Sequence, residues 1–504
     1  MKSLLLGIDI GTSACKIAVF EKNGNVVASG SGEYPVYYPH PGWAEQNPDE
    51  WWDAVCKTIK KVFKDGEIDP QQIAGVGIDG QSWSAIAIDQ QGKVLTNTPI
   101  WMDMRAKDIC ERVNRKLEAY NIFDLCGNIL QPSYTTAKIL WYREQMPEIY
   151  EKIDKILQSN SFIAYRLTGV VSQDLSQTYG LHCVDMRNGT WNEEMCELLE
   201  IPRTFLPDIY ACHDVIGTVT ERAAAETGLL IGTPVVAGGL DAACGTLGAG
   251  VVHVGETQEQ GGQAGGMSIC IDKYAADPNL ILSYHVVPDK WLLQGGTTGG
   301  GGVMRWMEKE FADYERSVAE KCGKSSLDQL NDLAREVPAG SEGLVFLPYM
   351  AGERSPIWDP DAKGIFYGLD FSKTKGHMVR AAMEGVAYSL KHNLDVAENA
   401  GAQVKEMLSV GGSANSELWM QIKCDLTGKP MAVPYSDTAT TLGAAILAGV
   451  GVGVYESFED AIDETVKITK TYEPNMEMHK KYQENYKTYL AVYENLKGVM
   501  KGEA

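Results

Sequence analysis

The sequence predicts an α/β protein built as two similar halves. Strand-like runs such as IAGVGIDG and SAIAID alternate with runs of helical periodicity such as DEWWDAVCKTIKKVF and AKILWYREQMPEIYEKI, which is how α/β domains are written. A Gly-flanked aspartate follows an apolar run twice, in GIDIGTSACK (residues 7–16) and in GGLDAACGTLGAG (residues 238–250). The chain of 504 residues also exceeds what one core holds, at roughly 100 to 200 residues per domain. Domains of 1–249 and 250–504 are expected, with Asp241 at the boundary and the last helix packing back on the first domain.

In chain order, Leu4 to Ile8 and Lys16 to Phe20 read as strands joined by the small-residue turn GTSA, and NGN at 23–25 supplies the next hairpin turn, so a β-meander opens the fold. The strand and helix runs quoted above follow. TPVVAGGLDAACGTLGAG then repeats the theme of apolar strand, glycine turn and aspartate, and MLSVGGSANSELWMQIKCDLTG adds strand, glycine turn and a helix from near Ser416. Tyr482, Tyr486, Tyr489 and Tyr493 fall at helical spacing and read as a packing face.

Lys and Arg total 45 against 67 Asp and Glu, a net charge of -22. Such a field repels nucleic acid and anionic membranes, and any phosphorylated ligand must be held by local amides, a few cations and a metal ion. The 11 cysteines include no CxxC pair, which fits reduced thiols and offers no zinc site. With no signal-like start and no apolar run of about 18 residues, a cytoplasmic protein is expected. A homodimer is left open.

A strand followed by a small-residue turn exposes backbone N–H groups to phosphate oxygens. Asp9 would then hold Mg²⁺ at the end of the first strand, with Gly11, Thr12, Ser13 and Lys16 at the phosphates; the plainer alternative is that Asp9 and Gly11 only shape a turn. No Walker or Rossmann glycine motif competes. Asp241, among Gly238, Gly239, Gly245, Gly248 and Gly250, could accept the proton of a hydroxyl attacking a γ-phosphate, or be a turn aspartate. GGTTGGGG at 295–302 has the glycine density of close backbone approach, to a ligand or to another chain segment. Gly411 and Gly412 could offer a flat surface to an adenine ring.

These stretches, together with HPGWAEQNPDEWW, PIWMDMRA, SFIAYRLTG, YMAGERSPIWDPDAKGIFYGL, AAMEGVAYSL and ATTLGAAILAG, resemble the FGGY carbohydrate kinases of the actin-like ATPase superfamily over essentially the whole chain, nearest to its xylulokinase-like members. The resemblance implies a duplicated ribonuclease-H-like core and ATP- and Mg²⁺-dependent phosphorylation of a sugar or polyol hydroxyl in the cleft. It implies two phosphate hairpins, one per half, each with its aspartate: Asp9 as the Mg²⁺ carboxylate and Asp241 as the catalytic base. Gly411, Gly412 and Asn415 match the adenosine segment and Gly301 the glycine-rich segment near the nucleotide. Two departures stand out. Where many members have a Gly-Thr turn at a phosphate, this chain has EQGGQAGG, so Gln263 or backbone amides such as that of Gly262 must substitute. Where xylulokinases commonly have Met-His-Gly, Gln81 is followed by Ser82, Trp83 and Ser84.

For the sugar, Gln81, Ser82, Trp83, Trp101, Asp103 and Arg105 are the expected contacts, since an indole packs on sugar C–H groups while amide, carboxylate and guanidinium sort hydroxyls. The alternative for Trp101 and Arg105 is to brace their loop. The function expected is a carbohydrate kinase of pentulose-like specificity. Rivals are a kinase for another ketose, polyol or sugar acid, an actin-like ATPase switch acting on a protein partner, and a sugar sensor without catalysis.

Overall fold

The computed structural model describes residues 3–120, 122–323, 325–435 and 438–503. Two mixed seven-stranded sheets organise it. The first contains β1 (Leu4–Ile10), β2 (Ala14–Phe20), β3 (Val26–Glu33), β4 (Ile73–Gly80), β5 (Val215–Thr218), β6 (Pro234–Val236) and β7 (Gly239–Leu240), in the order β5-β6-β4-β1-β2-β3 with β7 also beside β4. The second contains β8 (Glu256–Gly261), β9 (Gly265–Ile271), β10 (Ile281–Tyr284), β11 (Trp291–Thr297), β12 (Glu406–Val410), β13 (Met431–Pro434) and β14 (Ile468–Tyr472), in the order β10-β11-β9-β8-β12-β13-β14.

The two sheets carry one plan. An antiparallel meander (β1-β2-β3; β8-β9-β11) leads to two parallel strands (β4 and β6; β12 and β13) and an antiparallel edge (β5; β14). The duplication suggested by the repeated aspartate theme is thus plain in strand order. β1 is buried on both faces, which is why LLLGIDI reads as a near-continuous apolar run.

The helices used below are α1 (Pro48–Asp65), α2 (Asp241–Gly248), α3 (Gly301–Phe311), α4 (Lys375–Asn399), α5 (Glu417–Thr427), α6 (Ala439–Gly451) and α7 (Met476–Met500). α1 starts cleanly because Asn47 caps Asp49 N at 3.0 Å and Pro48 stands in the first turn. Its face of Trp51, Val55, Ile59 and Val62 is buried against the first sheet. Each such side chain contributes about 1.5 to 3 kcal/mol of burial.

Three expectations are corrected. Residues 137–153 form two helices, Thr135–Gln145 and Pro147–Tyr150, because Pro147 has no N–H to continue the first. The last helix, α7, packs on α4, α5 and the strand Val345–Leu347 of the second half rather than on the first domain. Its tyrosines supply the reason: Tyr482 lies under Arg380, Tyr489 OH meets Tyr349 OH at 2.7 Å, and Tyr493 OH donates to Asp359. The element that does cross between halves is α6, which lies on β1, β4 and α2. Finally, Asp241 is not in a hairpin. It opens α2 directly after β7, in the first half, and the hairpin of the second half is β8–β9.

The α2–α6 contact explains glycines that sequence alone ties to Asp241. A methyl group on Gly443 would sit 1.9 Å from Cys244 O, and one on Gly248 1.9 Å from Ala439 O. Beneath α6, register partners Gly7 and Gly77 are bare for the same reason, facing Thr441 O at 2.0 Å and Ala444 O at 1.8 Å. Gly245 and Gly248 therefore serve helix packing, not exposure of the aspartate.

Candidate active site

Three carboxylates are set out across neighbouring strand ends. Asp9 on β1 pairs in register with Asp79 on β4, and β4 in turn pairs with β7 through Asp79↔Gly239 and Gly80↔Leu240, immediately before Asp241. The carboxyl ends of parallel strands are where open α/β sheets place ligands. Asp9 is held by Thr440 Oγ1 from α6 at 3.1 Å and by Lys16 Nζ at 3.6 Å. Asp79 is fully buried with neither carboxylate oxygen hydrogen-bonded. Asp241 is reached by solvent at its edge but surrounded by protein on most sides, and its Oδ1 accepts Ala242 N at 2.6 Å.

The electrostatics follow from this crowding. Burial raises the Asp9 pKa, with Lys16 pulling the other way. Burial first, then the charges of Asp9 and Asp241, pushes Asp79 well above the carboxylate range. Asp241 is pushed up to about 7 by desolvation and by Asp9, which suits a general base at neutral pH.

The turn between β1 and β2 presents its amides outward for a specific reason. Gly11 O accepts Tyr34 OH at 2.6 Å and Thr12 O accepts Gln46 Nε2 at 2.8 Å. A trans peptide points N–H opposite to C=O, so the amides of Thr12 and Ser13 face away from these anchors, toward solvent. Trp101 Nε1 also donates to Thr12 Oγ1 at 3.0 Å.

The second hairpin turn lines a cavity of about 380 Å³. Gly262, Gln263, Gly301, Gly412 and Asn415 border it together with Met304, Leu327, Met383 and Trp419. Gly411, with φ +93°, stacks its backbone on Gly261 beside this cavity. The GGTTGGGG segment uses its glycines against another chain segment: Gly301 N donates to Gly262 O at 2.7 Å and Gly302 N to Gln263 O at 3.0 Å. Beneath lies a buried ion pair, Lys423 Nζ to Glu259 Oε1 at 2.6 Å, extended by Ser413 and Ser409. It ties the hairpin to α5 and the 411–415 loop.

The expected sugar contacts divide. Gln81 is buried and donates to Gln46 Oε1 at 2.8 Å, linking its segment to the turn between β1 and β2. Ser82 and Trp83 are half-buried. Trp83 sits at φ +61°, its carbonyl held by the buried Lys138 at 2.6 Å and its ring edge-on to Tyr134 at 4.5 Å. Trp101 is exposed near the turn. Asp103 and Arg105 are corrected: Asp103 caps Ala44 N at 2.7 Å, while Arg105 bonds Asp103 and Glu45 at 2.8 Å and stacks on Trp43 at 3.9 Å. Their charges are spent bracing the loop.

Asp79, Tyr34, Gln46 and Lys423 escaped the sequence reading. For Asp79 a signal existed, since GIDG in β4 repeats the GIDI of β1. The others act through contacts remote in sequence.

This geometry has close counterparts. The model of the FGGY family of carbohydrate kinases, N-terminal domain, matches residues 4–248, and that of its C-terminal domain matches residues 272–452. The chain belongs to the FGGY family of carbohydrate kinases. It is 31% identical to the xylulose kinase of Staphylococcus epidermidis (strain ATCC 12228 / FDA PCI 1200) over 499 residues, covering 99% of this chain and 98% of that protein. It is 32% identical to the gluconokinase of Bacillus subtilis (strain 168) over 505 residues, covering 100% and 97%. The crystal structure of xylulose kinase from Rhodospirillum rubrum superposes with a TM-score of 0.90 at 28% identity, over 99% of this chain and 100% of that one. An FGGY kinase of this kind is a phosphotransferase acting on a sugar hydroxyl, with the actin-like ATPase fold, and kinases of the family use ATP, generally with Mg²⁺. No support exists for a protein-partner switch. Among the described residues no helix is long and apolar enough to cross a membrane.

Proposed function

We propose that this FGGY kinase phosphorylates a pentulose, using ATP and Mg²⁺, with Asp241 as the general base. The observation that carries the proposal is the placement of Asp241 at the start of α2, beside the first phosphate turn, with its carboxyl raised to about 7 by burial and Asp9.

Asp241 takes the proton of the sugar hydroxyl, whose oxygen forms a bond to the γ-phosphorus. The bond from that phosphorus to the bridging oxygen breaks, and its electron pair leaves with ADP. The Thr12 and Ser13 amides receive phosphate oxygens on one side of the cleft and the turn around Gln263 on the other, while the cavity beside Gly412 and Trp419 takes the adenosine. Mg²⁺ fits the first turn. Asp9 offers a hard oxygen ligand, and behind it the Asp79 carboxyl has oxygens that no protein donor meets. Among the described residues no three or more ligating side chains converge on one point, which suits an ion held by one or two carboxylates and completed by phosphates and water. When bound, Mg²⁺ would neutralise charge on the transferring phosphoryl group.

Similarity to a xylulose kinase supports a pentulose, and similarity to a gluconokinase supports a sugar acid as the second reading. Measuring sugar-dependent ADP release over ketopentoses, aldoses, polyols and sugar acids tests both. A ketopentose is expected to give the highest kcat/KM, and a clear preference for a sugar acid or polyol would overturn the first reading.

A further inference from the structure

We propose that Arg354 is a catalytic residue, its guanidinium binding the phosphoryl group in flight from the side of the cleft opposite the first phosphate turn. The inference rests on the kinase reading and names a cation that this reading leaves unassigned.

Strand register places it. On β8, Gln258 and Gln260 point to one face, being two residues apart. Gln258 Oε1 accepts Thr246 Oγ1 of α2 at 2.8 Å, so this is the face turned toward the helix that Asp241 opens. Across the sheet Gln260 pairs with Gly266, and Gly266 with Gly296. The row is accessible, whereas the neighbouring Gly295 is buried against Asn393 on the opposite face. A methyl group on Gly296 would sit 3.0 Å from Arg354 Nη2 and 3.1 Å from Cζ. The guanidinium therefore lies on the cleft face, flat against a strand that only glycine keeps bare.

Its backbone is fixed, and its charge is balanced only through the field of the adjacent Glu353, with no ion pair among the described residues. Ser355 N donates to Gly296 O at 3.0 Å, and the Glu353 carboxylate takes Thr298 N at 2.7 Å and Arg354 N at 2.8 Å, pinning the loop to Gly296 and to Thr298. Of five N–H donors on the guanidinium, one is spent, on Thr297 O at 3.3 Å. Among the described residues no carboxylate lies within ion-pair distance of it, unlike Arg105, Arg166 or Arg380. In a chain of net charge -22, with three carboxylates at the strand ends, an ordered arginine with unspent donors matches tetrahedral anionic oxygens.

The same chemistry would suit a carboxylate on the sugar, and the experiment separates the two sources. Arg354→Gln and Arg354→Lys are compared with wild type for Tm, for affinity toward Mg·ADP alone and Mg·ADP with aluminium fluoride, and for kcat and KM over neutral ketoses and sugar acids. Because the side chain spends one long hydrogen bond and no ion pair on the protein, Tm is expected to hold. Aluminium fluoride should tighten Mg·ADP binding to wild type and lose that effect in Arg354→Gln, while Mg·ADP affinity stays within about twofold. On the best neutral sugar, kcat should fall about 10²–10³-fold with KM little changed, and Arg354→Lys should recover part of it. The proposal is overturned if the variant keeps kcat within about threefold, if only KM for sugar acids rises, or if wild type shows no fluoride effect. The fluoride arm is read with the best sugar present: a wild type that phosphorylates no sugar sinks the kinase reading and the Arg354 assignment together, whereas an active wild type whose fluoride effect survives in Arg354→Gln overturns Arg354 alone.

Discussion

A carboxyl group sealed from water beside a second carboxylate is costly to ionise. Asp79 is that group, and its raised pKa states the cost in the form of pH dependence. Because the folded state holds the proton more tightly than the unfolded chain, the associated stability is present below the unfolded pKa near 4 and is lost as pH rises through the folded value. Asp79→Asn should therefore raise Tm by about 1–3 °C at pH 8 and give no gain near pH 4.5. Thermal melts across that range check it, and an advantage independent of pH would show that the charge is compensated. For Asp241 the sign concerns reactivity. The ionised form accepts the proton, so kcat/KM should fall tenfold per unit below about pH 7. Asp241→Asn should lower turnover by about two to four orders of magnitude with nucleotide affinity intact. Near-normal turnover would remove it from the mechanism.

Among the elements, the helices α2 and α6 meet backbone to backbone, and this contact tolerates no side chain. Gly443→Ala would drive a methyl group to 1.9 Å from Cys244 O, which no rotamer change relieves. A loss of about 3 kcal/mol or more is expected, visible as a lower Tm, whereas Gly401→Ala, with open space around it, should lose less through its positive φ alone. Equal losses would mean that the helices separate easily to admit the methyl group. The elements also show what a sequence exposes. The meander, α1 and the strand–turn–helix around Gly411 follow from local periodicity and turn residues, which act over a few positions. A strand, glycines and an aspartate look the same before a helix as before a returning strand, so sequence alone reads Asp241 as a hairpin residue. Asp103 and Arg105 read as free because Ala44, Glu45 and Trp43, which engage them, arrive from a segment some 60 residues away. Lys423 and Glu259 lie 164 positions apart, and no local pattern joins them.

At the scale of the whole molecule, the proposed function requires the two sheets to approach for Asp241, the first turn and the second hairpin to act on one phosphate. Water is smaller and more abundant than any sugar, so selectivity requires that approach to depend on the sugar. Hydrolysis of ATP without sugar should run at least about a hundredfold slower than transfer, and small-angle scattering should show the radius of gyration falling when sugar and a non-hydrolysable nucleotide are both present. Scattering unchanged by both ligands would mean that the halves are already closed.

The glycine contact between α2 and α6 has a mechanical meaning. Peptide groups have no rotamers to exchange, so a joint made of them has one resting geometry and nothing to rearrange as it turns. Asp241 opens one of the two helices and Thr440, which holds Asp9, stands in the first turn of the other. On the proposed assignments, base and metal carboxylate stand at this contact, so a rotation of the halves about it would displace them least, while the proposed sugar loops and adenosine cavity would travel at the rim.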